Sequence, residues 1–173
     1  LAEDVFGKWP KPATPLPPAA EAPPRETPRA PLVIDMPKIG QAAVLIGRVG
    51  PSRLAADYFP TLLANNVLGG GYSSRLNAEI RVRRGLSYGA GSGLASRKQG
   101  APIVASAQTR NDAVPQVVEL MSAELARLGS QTIPESELAS RKAVLIGGFG
   151  RSVETTGGLA GQDLVGTFEI ADR

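Results

Sequence analysis

Residues 66–93 read NVLGGGYSSRLNAEIRVRRGLSYGAGSG, and the order of signals in this stretch decides the fold. Three glycines, Gly69, Gly70 and Gly71, stop one helix, because glycine tolerates the backbone that a helix end requires. Ser73 or Ser74 then caps a second helix running to about Arg84, with Leu76 and Ile80 on its core side and Arg75 and Glu79 paired at i, i+4. Gly85 follows as a natural residue for leaving it. From Leu86 to Ala95 the pattern alternates, with Leu86, Tyr88, Ala90 and Leu94 on one side of a strand. Helix, glycine turn, helix, glycine turn, strand is the sequence of an α+β unit.

Working outward, Phe59, Leu62, Leu63 and Val67 form a one-sided stripe behind an Asp57 cap. The near-continuous apolar run Ala42–Val49 reads as a central strand buried on both faces. Leu32–Met36 reads as a shorter strand before it. Downstream, Ser96–Gly100 is a turn and Ile103–Gln108 the returning hairpin partner. Val114, Val117, Val118, Met121, Leu125 and Leu128 give the clearest helix, capped by Asp112 and closed by Gly129. Thr132 and Glu135 spell a capping box for a helix through Leu138, Leu145 and Phe149. A last helix starts near Ser152 or Thr155 and carries Leu159, Leu164 and Phe168. The expected order is β-β-α-α-β-β-α-α-α, an antiparallel sheet with helices packed on one face.

The first 37 residues hold ten of the fifteen prolines. Residues 10–31 are expected to be an exposed Pro-rich linker, residues 1–9 the tail of a preceding domain, and residues 32–173 the folded domain, clipped at its C-terminus.

Composition removes several chemistries. The chain contains no histidine and no cysteine. A zinc site of the usual kind needs those ligands, and a Ser-His or Cys-His nucleophile pair is equally excluded. The formal charge of +3 is mild and dispersed, and the RVRR run lacks interleaved aromatics, so a solvated basic face is expected and not a nucleic-acid site. No apolar run approaches the roughly 18 residues of a membrane span. The three glycines are not followed by Lys-Ser/Thr, which argues against a phosphate cradle. Glu119, Glu124, Glu135 and Glu137 read as surface positions. On residue type alone, Tyr88 reads as a strand aromatic in the core and Arg81 as part of a basic helix end.

The ordered run from Asn66 to Gly93 resembles the C-terminal half-domain of the pitrilysin/insulinase (inverzincin) zinc metallopeptidases: a helix ending in a triple-Gly loop, a Ser-Ser-Arg-Leu helix start, a basic run, then Gly-Leu-Ser-Tyr entering a strand. Weaker similarity extends from about Pro31 to Ile170, and VFGKWP near the start resembles the end of the preceding half-domain. The resemblance implies two similar α+β halves enclosing a chamber. One half carries the HxxEH motif, the zinc and the general base. The other contributes an Arg and a Tyr seven residues apart, here Arg81 and Tyr88, with Gly69, Gly70 and Gly71 as a secondary substrate contact. It therefore implies a substrate-binding half acting on oligopeptides or unfolded segments, partnered by an HxxEH half-domain or subunit that holds the zinc, or else a non-catalytic scaffold of the same family. It also implies a periplasmic bacterial location, with a cytoplasmic one as the alternative. Neither Arg81 nor Tyr88 can ionise water, so no activity is expected from this chain alone. Peptide hydrolysis by the purified chain that a chelator abolishes would overturn this division of labour.

Overall fold

A sheet can bury one face on helices only if its strands alternate, and three strands here do so. The computed structural model describes residues 2–10, 14, 30–97, 100 and 102–161, which divide into two units, Leu1–Asp35 and Met36–Arg173. In the first unit, helix α1 (Ala2–Phe6) is followed by an edge-to-face contact of the Phe6 and Trp9 rings at 5.1 Å. Most of the expected linker at residues 10–31 lies outside the described residues.

The second unit contains β1 (Gln41–Val49), α2 (Tyr58–Gly69), a π-helical segment (Asn77–Arg83), β2 (Ser87–Leu94), β3 (Pro102–Arg110), α3 (Val114–Ser130) and α4 (Glu135–Ser152). The strands form one antiparallel sheet in the order β1-β3-β2. Val44, Ala90, Ala105 and Ala107 point to the helical side and pack with Leu68, Leu76, Ile80, Val117 and Met121 in one core. Small strand residues beneath larger helix residues let the layers approach closely. The α+β class with an antiparallel sheet is as expected.

Several local expectations are corrected. Leu32–Met36 is not a strand: it pairs with nothing among the described residues and its apolar side chains are exposed. The central strand is β3. β1 is an edge strand, buried only at alternate positions, with Leu45 and Val49 exposed. An apolar run does not distinguish an edge from a centre, because strand order is set by non-local pairing. On α2 the buried aromatic is Tyr58, while Phe59 is exposed under the Arg53 guanidinium. Four caps differ too: neither Ser73 nor Ser74 caps the π-helical segment, which starts without a side-chain cap. α2 and α3 start without a side-chain cap, and Asp112 pairs with Arg110. α4 begins at Glu135 after Pro134, which is extended at ψ 141, so Thr132 cannot close a box. Thr155 does cap: its Oγ1 accepts from the Gly158 N–H at 3.0 Å. Leu164, Phe168 and the expected clipping near Arg173 lie outside the described residues, as do Lys98 and Gln99 of the expected turn.

Arg75 does not pair with Glu79. Its guanidinium grips Glu137 of α4 with both prongs, at 3.0 and 2.7 Å. Arg141 of α4 donates to the Ser73 hydroxyl at 3.1 Å and to the Ser73 carbonyl. α4 is thus clamped to the turn before the π-helix. Glu124 is buried and Glu137 half-buried, so neither is the surface carboxylate expected. The hydrogen bonds from Arg75 hold the Glu137 carboxyl below its usual range. A carboxylate depressed in the fold adds stability above its unfolded pKa and loses it as pH falls through the folded value. Glu137→Gln should therefore cost about 1–3 kcal/mol near neutrality, and should flatten the loss of stability below about pH 4.3. Urea titrations across that range measure both effects.

Candidate functional site

The site grows from a place where two backbones touch. At the end of α2, a Cβ on Gly69 would lie 2.0 Å from the Ser92 nitrogen and 2.5 Å from the Gly91 carbonyl carbon. Only glycine permits that approach. Beside it Asn65 and Ser92 exchange weak bonds: Asn65 Nδ2 donates to the Ser92 carbonyl at 3.4 Å and Ser92 Oγ donates to the Asn65 carbonyl at 3.3 Å. The Gly70 N–H donates to the Asn66 carbonyl at 3.2 Å and closes the helix. Gly71 faces open space. The chain then throws Tyr72 outward, 70% exposed.

Asn77 holds this turn in place. Its side chain is buried, the residue only 4% exposed. Nδ2 donates to the Tyr72 carbonyl at 2.6 Å, and Oδ1 accepts from the Ala90 N–H at 3.4 Å. One amide thereby links the glycine turn to β2. Asn77 also opens the π-helical segment, whose wider winding is characteristic of functional sites. That segment ends where the Leu86 N–H donates to the Ile80 carbonyl at 2.9 Å and Gly85 takes a φ of +62, the left-handed backbone expected of it.

Tyr88 is not in the core. Ser87 pairs with Thr109 and Ala90 with Ala107, so three residues of β2 span two of β3. The extra residue is a bulge, which re-aims side chains. Ser87 Oγ stabilises it by donating to the Gly89 carbonyl at 2.6 Å and accepting from the Gly89 N–H at 3.1 Å. Tyr88 consequently faces away from Ala90 and is 89% exposed on the open side. There the Arg81 guanidinium sits 4.8 Å from the Tyr88 ring centre and 5.2 Å from that of Tyr72, an arrangement that favours the cation.

These residues form one wall of a cavity of about 720 Å³ over the open face of the sheet, where Ala43, Leu45, Ser106 and Gln108 make the floor. Of the sequence-predicted residues, Arg81, Tyr88, Gly69 and Gly71 line it, whereas Gly70 does not. Tyr72 and Asn77 were missed. The available signal was an aromatic placed directly after three glycines and an amide within the next helix. Chemically the wall offers a phenol donor, a forked cation and an amide. It offers no group that could deprotonate water.

Among the described residues no three metal-ligating side chains gather, and no helix is long and apolar enough to cross a membrane. The family model described as the peptidase M16 inactive domain matches residues 1–145. Among solved structures, the chain is similar to a peptidase M16 inactive domain from Pseudomonas fluorescens, at 30% identity and a TM-score of 0.61, over 63% of this chain and 27% of that one. It is similar to a protease from Helicobacter pylori, at 22% identity and a TM-score of 0.65, over 73% and 31% of the two chains. It is also similar to the periplasmic protease PqqL from Escherichia coli, at 16% identity and a TM-score of 0.55, over 72% and 14%. The latter two show likeness of fold. The chain spans less than a third of the length of each of these three structures. No curated protein matches it.

The contact at Gly69 reverses the usual effect of alanine in a helix. Gly69→Ala should destabilise the chain by about 1–3 kcal/mol, the cost of overpacking, although alanine is the better helix former. Gly71→Ala should stay within about 0.5 kcal/mol. Thermal unfolding of the two variants separates these outcomes.

Proposed function

This chain belongs to the family of peptidase M16 inactive domains, and from that premise we propose that it is the substrate-gripping half of a two-half zinc metalloendopeptidase acting on oligopeptides or unfolded segments. The observation that carries this reading is the convergence of Arg81 and Tyr88, brought by a π-helix and a bulge to one wall of an open cavity.

The residues of this chain do not fit zinc. The sequence offers no imidazole or thiolate, and among the described residues no carboxylate lines the cavity. Metal and general base belong to an HxxEH half-domain or subunit that faces this sheet. What the present residues do is bind and orient. The Tyr88 hydroxyl donates to the oxygen on which negative charge develops as the peptide bond is attacked. The Arg81 fork takes a carbonyl or carboxylate of the peptide. Gly71, which faces open space, lets an extended backbone pass close to the turn, and the small side chains of the floor leave room for its residues. Likeness of fold to a periplasmic protease supports a periplasmic location.

The test is to assemble the chain with its HxxEH half and follow cleavage of a quenched peptide. Tyr88→Phe should lower kcat about 10²-fold, the scale of losing one oxyanion donor, while the assembly still forms. Unchanged turnover removes Tyr88 from the reaction, and a stable assembly that never cleaves identifies a scaffold instead.

A further inference from the structure

Four arginines lie on or beside the π-helical segment, and among the described residues only one is left without a carboxylate partner. Arg75 is held by Glu137. Arg83 and Arg84 share Glu79, each at 2.7 Å. Arg81, by contrast, has no carboxylate or hydrogen-bond partner for its side chain among the described residues. Its contacts are the two tyrosine rings. Rings stacked on a guanidinium satisfy its faces but leave its in-plane N–H donors free. A cation that is partly buried and unpaired on a fold that neutralises its neighbours calls for an anion from elsewhere.

The cavity reinforces the point. Its polar lining includes Tyr72, Asn77, Tyr88, Ser106 and Gln108, and among the described residues Arg81 is its sole charged group. No acidic side chain of the described lining opposes an incoming anion.

On the reading of this cavity as a peptide site, we infer that Arg81, flanked by Tyr72 and Tyr88, is a carboxylate-binding subsite. The peptides gripped here present to it either their own C-terminus or an aspartate or glutamate side chain. Both sources carry the same planar anion, which the guanidinium fork meets with two parallel hydrogen bonds.

The test uses three matched, N-acetylated fluorescent peptides and anisotropy binding to the full 173-residue chain. One peptide ends in a free acid, one in an amide, and one is an amide with a single internal glutamate. The free acid should bind at least about tenfold more tightly than the neutral amide, the scale of one charge-assisted pair. The glutamate peptide tells whether any carboxylate serves or only a terminal one. Arg81→Gln should abolish the preference. Arg81→Lys, which keeps the charge without the fork, should retain part of it. Arg83→Gln, outside the cavity, should leave it intact. Because the Arg81 side chain makes no hydrogen bond among the described residues and contacts only two largely exposed rings, these Arg81 variants should lose no more than about 1–2 kcal/mol of stability and remain folded. Equal binding of acid and neutral amide, or a preference that survives Arg81→Gln, overturns the carboxylate subsite while leaving the peptide site standing. If none of the three peptides binds, both fall.

Discussion

The buried amide of Asn77 is the constraint on which the site depends. A side chain withdrawn from water must find partners for its donor and acceptor, and here they belong to two different elements, the Tyr72 carbonyl and the Ala90 N–H. Satisfying one residue thus sets the distance between the glycine turn and β2. Tyr72 stands on the first and Tyr88 on the second, with Arg81 one turn along the helix that Asn77 opens. Remove the amide and the two rings lose their common reference, although neither touches it.

Around this point the fold combines irregularities that each move a side chain to the open face. The π-helical winding sets Arg81 and its neighbours in a different rotation from an α-helix. The bulge at Ser87–Ala90 turns Tyr88 outward. The salt bridge between Arg75 and Glu137, with Arg141 on Ser73, holds the start of the same helix from behind. The helical side of the sheet is a conventional apolar core. The polar contacts of the site are concentrated on and beside the single stretch from Asn65 to Ser92, which holds a helix end, a turn, a second helix and a strand entry.

Much of this was legible before any coordinates. Helical periodicity located α2, α3 and α4, alternation located β2 with β3 as its returning partner, and the resemblance carried by residues 66–93, not residue type or periodicity, singled out Arg81 and Tyr88, two residues that share the cavity wall. What escaped has identifiable causes. Strict alternation puts Tyr88 beside Ala90, and only the cross-strand register reveals the bulge that separates them. The Phe59 stripe was out of phase by one residue, because the buried ring is Tyr58. Arg75 has an acceptable partner four residues away, but the carboxylate that wins lies on α4, a long-range fact no local pattern encodes. Leu32–Met36 has the composition of a strand, but no neighbour among the described residues makes it one. Tyr72 and Asn77 matter through a carbonyl and a buried amide, which periodicity does not register.

The contact of Gly69 with β2 has a mechanical consequence. Where side chains separate two elements, rotamer changes absorb small displacements. Where main chain rests on main chain, no such cushion exists, and interiors packed to this density transmit strain. The end of α2 and the middle of β2 must travel as one body, taking the turn that follows with them. Compliance at the cavity is left to the torsions of two tyrosines and an arginine, which can swing where the frame does not yield.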